Sequence, residues 1–170
     1  IEELMDATLL DEMIDTGYIN VRPHKDAGLR LLCYTKNAQI RGEWNDATIN
    51  CRGLVIDREG YVVSRPFKKF FNHNEQRAPK ISLNDRVYVN DKLDGSLIIA
   101  FYYEGDVYYT TKGSFYSDQA EWAKSHMQEF YPNWRPAEVV TYMFEAIYPQ
   151  NKIVHDYGRE KKMLFLGAID

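Results

Sequence analysis

The chain has 170 residues, 45% hydrophobic and 27% charged, with a net charge of −4. That is enough for one domain with its own core, in the balance of an ordinary globular protein. The negative total argues against a general, sequence-blind nucleic-acid coat; no apolar run approaches a membrane span, and Cys33 and Cys51 are too few for a disulfide framework. A cytoplasmic protein with no secretory leader and no membrane partner is therefore expected.

In chain order, Glu3 to Asp15 spaces Leu4, Ala7, Leu10, Met13 and Ile14 along one helical face, with Gly17 as its C-terminal stop. Leu29 to Thr35 reads as a buried strand, and the polar Lys36 to Asn50 as a loop with little regular structure. Cys51 to Asp57 and Tyr61 to Phe67, joined by Arg58-Glu59-Gly60, predict a β-hairpin that begins at Arg52-Gly53. Lys68-Lys69-Phe70-Phe71-Asn72 follows, two cations beside two rings. Val87-Tyr88-Val89 predicts a short strand, Lys92-Leu93-Asp94-Gly95-Ser96 a tight polar corner, and Leu97 to Lys112 two more strands across Glu104-Gly105-Asp106. Tyr116 to Tyr131 reads as a helix, with Asp118 and Glu121 spaced as a capping box. Val139 to Ile147 is a strand that sets Glu145 among apolar residues, so a cationic or metal partner is expected for it. Lys152 to Tyr157 and Met163 to Ile169 read as strands around a turn at Gly158. The pattern is α+β, one domain over residues 1–170 dominated by antiparallel hairpins.

The chemistry concentrates at the polar corner. Lys92, with no apolar cover of its own, reads as a nucleophile at the mouth of a sheet. A lysine reacts only when deprotonated, and from about 10.4 its pKa must be lowered by neighbouring cations or burial. Arg52, Lys68, Lys69 and Lys112 are the candidate cations, and the same charges suit a polyphosphate. On a strand, Lys92 and Asp94 would project to one face, and Gly95 would let the backbone approach a ligand. An amine attacking phosphorus with pyrophosphate leaving fits these parts, with a divalent metal as charge neutraliser. No Walker-type loop, dinucleotide fingerprint or zinc cluster is present, and His24, His73, His126 and His155 are scattered.

Lys92-Leu93-Asp94-Gly95 resembles the K-x-D-G motif of the covalent nucleotidyltransferases, the ATP-dependent ligases and mRNA capping enzymes. Around it, Cys51-Arg52-Gly53-Leu54-Val55 resembles the arginine-glycine hairpin upstream of the ligase lysine. The run from Ser64-Arg65-Pro66 to Lys69-Phe70-Phe71-Asn72 is similar to the S-R-P…K-F-F-N run of the bacteriophage T4 RNA ligase 1 family. Thr111-Lys112-Gly113-Ser114 and the stretch from Phe144-Glu145 to Ile153-Val154 resemble two later elements of that family, in family order.

The resemblance implies an antiparallel-sheet-rich, ATP-grasp-like nucleotidyltransferase domain, with the following roles. Lys92 would attack the α-phosphate of ATP to form lysyl-AMP. Arg52 and Lys69 would contact ribose and phosphates, with Tyr34 as a neighbour and Phe71 matching a phenylalanine important to the family. Asp94 and Gly95 would shape the corner, and Lys112 would meet phosphate. Glu145 would hold the ribose or a metal, Mg or Mn, and Phe165 lies where related ligases carry a ring over adenine. AMP then passes to an RNA 5′-phosphate and a 3′-hydroxyl displaces it, with broken tRNA as the family expectation and a bacterial or phage-infected cell as the setting. Two further family motifs, an acid-glycine element and a K-x-K strand, should follow Asp170, so the resemblance implies a domain incomplete at its C-terminal end.

Two other readings stand beside this one. A DNA ligase or capping-type enzyme shares K-x-D-G, and preference for GTP or for nicked DNA duplexes would mark it. A nucleotide-binding fragment or scaffold on the same fold would bind without forming a covalent adduct.

Overall fold

The computed structural model describes residues 1–170. The first helix, α1 (Ala7–Asp15), starts later than its apolar spacing predicts because Asp6 caps it, accepting a hydrogen bond from the amide of Leu9 at 3.0 Å. Gly17, at φ 75°, turns the chain out of the helix as expected. Strands β1 (Ile19–Pro23), β2 (Arg30–Tyr34), β3 (Arg52–Ile56) and β4 (Val62–Ser64) then form one antiparallel sheet in sequential order. The β3–β4 hairpin is where the sequence puts it. β1 was not anticipated.

The segment expected to be a loop, Lys36 to Asn50, instead holds two short helices, α2 (Lys36–Arg41) and α3 (Asp46–Asn50). Each is started by a polar cap: Thr35 Oγ1 accepts from the amide of Ala38, and Asn45 exchanges bonds with Thr48 in a capping box. Polarity here marks caps rather than the absence of helix.

The second antiparallel sheet has the order β6-β5-β7-β8, from β5 (Ser96–Tyr103), β6 (Asp106–Thr110), β7 (Thr141–Ile147) and β8 (Lys162–Ile169). Helix α4 (Asp118–Phe130) lies between β6 and β7 in sequence. Its cap is Ser117, whose Oγ accepts from the amide of Ala120, so the capping residue stands one position before the predicted Asp118. Two predicted strands do not form. Val87 to Val89 lies exposed without a partner strand, and Lys152 to Tyr157 is irregular after a 3₁₀ turn at Pro149–Asn151.

Strand alternation sorts the core into three layers. Leu32, Leu54 and Ile56 face α1 and α3, whereas Leu31 and Val55 face the second sheet, meeting Ile99, Phe101 and Met143. Ile98, Ala100 and Phe144 point the other way, toward Ala123 of α4. The architecture is thus helix, sheet, sheet, helix, an α+β fold of antiparallel hairpins. Gly53 sets the spacing of the two sheets: a β-carbon there would lie 2.7 Å from Ile99 Cδ1 and 2.9 Å from the Cα of Lys112.

Candidate functional site

At the edge of the inter-sheet layer, cations and rings from distant parts of the chain meet. Arg52 opens β3; its Nη1 donates to the carbonyl of Phe67 at 3.5 Å and its guanidinium carbon lies 5.3 Å from the Phe70 ring. Lys112, just past β6, reaches across from the second sheet to 5.4 Å from the ring of Tyr34, the last residue of β2. Tyr34 packs edge-on to Trp44 at 5.1 Å, and Trp44 to Phe71 at 5.6 Å. Lys69 Nζ lies 4.1 Å from the Phe71 ring and 5.3 Å from Trp44. Its own amide donates to the carbonyl of Ile49 in α3 at 2.9 Å, which ties the lysine-phenylalanine run to the helix packed on the first sheet. Three cations therefore stand against ring faces in one cluster, each attracted by the ring quadrupole.

Lys92, Asp94, Gly95 and Glu145 form the adjoining part. Lys92 is exposed and lies in irregular chain, so it and Asp94 are not the same-face pair of a strand. Asp94 instead turns into the loop after β7: its Oδ2 accepts from the amides of Val154 at 2.7 Å and His155 at 2.6 Å, while its own amide donates to Tyr157 Oη at 2.9 Å. Those two amides, followed by the positive charge of Lys92, hold the Asp94 carboxyl below the usual range. Gly95 does make a close approach, but to β7 rather than to open space. A β-carbon there would meet the carbonyl of Ala146 at 2.5 Å.

Glu145, opposite Leu97 on β7, points into the inter-sheet layer and is half-buried. Its expected cationic partner is replaced by a backbone amide: Gly95 donates to Oε1 at 2.9 Å, and no ion pair forms. Burial raises its pKa; the Gly95 amide, Lys92 and then Arg52 act against that, and Asp94 reinforces it. Arg52 thus acts on both groups of residues. It and Lys112 also act on Cys33, whose thiol burial pushes up.

Of the residues singled out from the sequence, Tyr34, Arg52, Lys69, Phe71 and Lys112 come together in the ring-and-cation cluster, and Lys92, Asp94, Gly95 and Glu145 in the part beside it. Phe165 stands apart. It lies on β8 opposite Phe144 of β7, and its ring meets Phe144 at 5.8 Å and Tyr142 at 6.3 Å, on the α4 side of the sheet. Two further participants, Trp44 and Tyr157, carry little or no sequence signal. Trp44 bridges Tyr34 and Phe71, and a tryptophan in so polar a stretch was the available signal. Tyr157 had none, because its partner is an amide 63 positions away.

No three His, Cys, Asp or Glu side chains gather as a metal cage. Glu145 is the half-buried carboxylate of this group, while Asp94 is occupied by amides. A single carboxylate suits Mg or Mn only as an ion that keeps waters and takes its other ligands from phosphate oxygens.

A family model described as RNA ligase matches residues 50–170. The chain is 24% identical over 183 aligned positions to a protein of Autographa californica nuclear polyhedrosis virus named as a bifunctional polynucleotide kinase/RNA ligase, covering 92% of this chain and 26% of that protein. It is 31% identical over 121 positions to a protein of Thermovibrio ammonificans named as an RNA ligase, covering 66% of this chain and 32% of that one. The chain thus spans between a quarter and a third of the length of these relatives.

Proposed function

The chain belongs to the RNA ligase family of the bacteriophage T4 RNA ligase 1 type, and on that premise we propose that it is the nucleotidyltransferase portion of an ATP-dependent RNA ligase. The observation that carries the reading is the convergence of Arg52, Lys69 and Lys112 from both sheets, beside Lys92 and Glu145.

In this reading Lys92 is the nucleophile. Its Nζ bonds to the α-phosphorus of ATP as the bond to the bridging oxygen breaks; pyrophosphate leaves with the electron pair, and the amine proton passes to solvent. Arg52, Lys69 and Lys112 bind the triphosphate and stabilise the charge that grows on the leaving group. Glu145 orients the ribose or a Mg or Mn ion, which when bound neutralises phosphate charge. Asp94 and Gly95 hold the corner in place, and the rings of Tyr34, Trp44 and Phe71 wall the cleft; Phe165, on the other face, has no role in this assignment. An oxygen of an RNA 5′-phosphate then attacks the lysyl-AMP phosphorus and Lys92 leaves. A 3′-hydroxyl finally attacks the activated 5′-phosphate and releases AMP, sealing the ends.

The test is covalent labelling. The chain, and a longer form carrying the later motifs, are incubated with α-labelled ATP or GTP and Mg or Mn, each beside its Lys92→Ala variant. Label from ATP that survives denaturation of the longer form and is lost in Lys92→Ala is the expected result. Label from GTP alone would favour a capping-type enzyme. ATP binding without label in either form would leave a nucleotide-binding module.

A further inference from the structure

Positive charge is spread unevenly along this chain. Between Arg65 and Gly95 stand seven lysines and arginines against four carboxylates, a net +3 in a protein that totals −4. No helix or strand forms there, and every residue from Lys80 to Lys92 is exposed. Three of the carboxylates are taken up by amides of the chain itself: Glu75 accepts from Asn72, Asp85 from Ser82 at 2.7 Å, and Asp94 from Val154 and His155. The cations are treated differently. Both of the protein's ion pairs, Lys152–Asp156 and Lys162–Glu160, lie elsewhere, so Arg77, Lys80 and Arg86 face solvent outside any ion pair. Tyr88, 90% exposed, offers a ring in the same stretch.

Cations set singly along an irregular, solvated segment that bends at Ser82–Asp85, with a free ring among them, match a strand of phosphates with bases between them. An acidic protein surface would use the charges but not the ring. We propose that residues 77–88 are the contact for a single-stranded RNA end, Arg77, Lys80 and Arg86 holding its phosphates and Tyr88 stacking on a base. The inference rests on reading Lys92 as the adenylyl acceptor and adds how the strand that receives AMP reaches it. Arg86 precedes Lys92 by six residues, at most about 21 Å of extended chain, so a strand lying on this segment is led to the lysine.

Binding of a fluorescent, 5′-phosphorylated single-stranded RNA is measured by anisotropy over a salt series, for the protein, R77A/K80A/R86A, Arg86→Ala alone and Tyr88→Ala. Losing three phosphate contacts lowers the slope of log affinity against log salt by about 2, and losing one by about 0.7. Tyr88→Ala weakens binding about tenfold and leaves the slope in place. None of these side chains is hydrogen-bonded to or stacked on the site cluster, so labelling of Lys92 by ATP in the longer form is expected to match its parent in every variant. An unchanged affinity and slope in the triple variant overturns the proposal. So does competition by polyglutamate as effective, charge for charge, as unlabelled RNA, which would assign the segment to an acidic protein. Absence of ATP labelling in this chain and in the longer form alike is a separate result: it removes the role given to Lys92, while the salt slopes still decide whether this segment binds RNA.

Discussion

Glu145 keeps a carboxylate half-buried beside Lys92, in a position that disfavours its charge. Its raised pKa sets the sign of a pH effect: the contribution to stability is fully present below the unfolded value of about 4.3 and is lost as pH rises through the folded value. At neutral pH the ionised group therefore works against folding. Glu145→Gln retains an acceptor for the Gly95 amide and removes the charge. Its melting temperature is expected to exceed the parent's at pH 7 and to match it near pH 4, while Lys92 labelling falls on the order of 10²-fold. A lower melting temperature at pH 7 would mean that Lys92 and Arg52 compensate the carboxylate more than burial penalises it. Asp94 has the opposite sign. Its depressed pKa gives stability that is present above about 3.9 and lost as pH falls through the folded value, when the bonds from Val154 and His155 weaken.

The corner around Lys92 is held by the loop between β7 and β8 rather than by a strand of its own. Asp94 bonds that loop in both directions, through its carboxylate and through its amide to Tyr157, and Ser96 Oγ donates to Asn151 Oδ1 at 2.9 Å just beyond. Tyr157→Phe removes one neutral acceptor and is expected to cost about 1 kcal/mol. If the loop positions the nucleophile, the variant shows a slower rate of Lys92 labelling at saturating ATP, with the concentration dependence on ATP unchanged. A weaker ATP dependence at the same maximal rate would instead place Tyr157 in ATP binding. This loop also shows why some elements were not legible. Ile153 and Val154 look like strand residues, but their neighbourhood is organised by a carboxylate about 60 positions away, which no local pattern contains. Val87 to Val89 has strand propensity and no ladder to join. In α2 and α3 the runs are too short for a helical period to emerge, and only their caps, Thr35 and Asn45, carry the signal.

The two-sheet arrangement was legible as hairpins but not as a stack. Alternation of apolar residues and turn signals at Arg58-Glu59-Gly60 and Glu104-Gly105 were enough for β3 to β6, since those contacts are local. Which sheet faces which depends on long-range packing, and Gly53 is its clearest mark. There φ is 95° and the missing side chain admits Ile99 and the backbone of Lys112. Gly53→Ala meets both left-handed strain and a backbone contact that cannot rotate away, for an expected loss of about 1–3 kcal/mol. Thermal melting tests this, and ATP binding should weaken alongside it because Arg52 and Lys112 lie on opposite sides of the displaced contact. A variant that melts with the parent would show that the sheets have slack at this point.

Ser64 and Thr141 share a hydroxyl hydrogen bond at 3.2 Å, the amide of Arg65 donates to Thr141 Oγ1 at 2.8 Å, and that of Phe67 meets Met143 Sδ at 3.2 Å. Every such tie between the sheets ends on a side chain; no backbone ladder crosses from one to the other. The molecule is in effect two stiff plates joined along a seam. Parting the plates would therefore break no strand ladder, and would be opposed by the apolar layer of Leu31, Val55, Ile99, Phe101 and Met143 that it exposes.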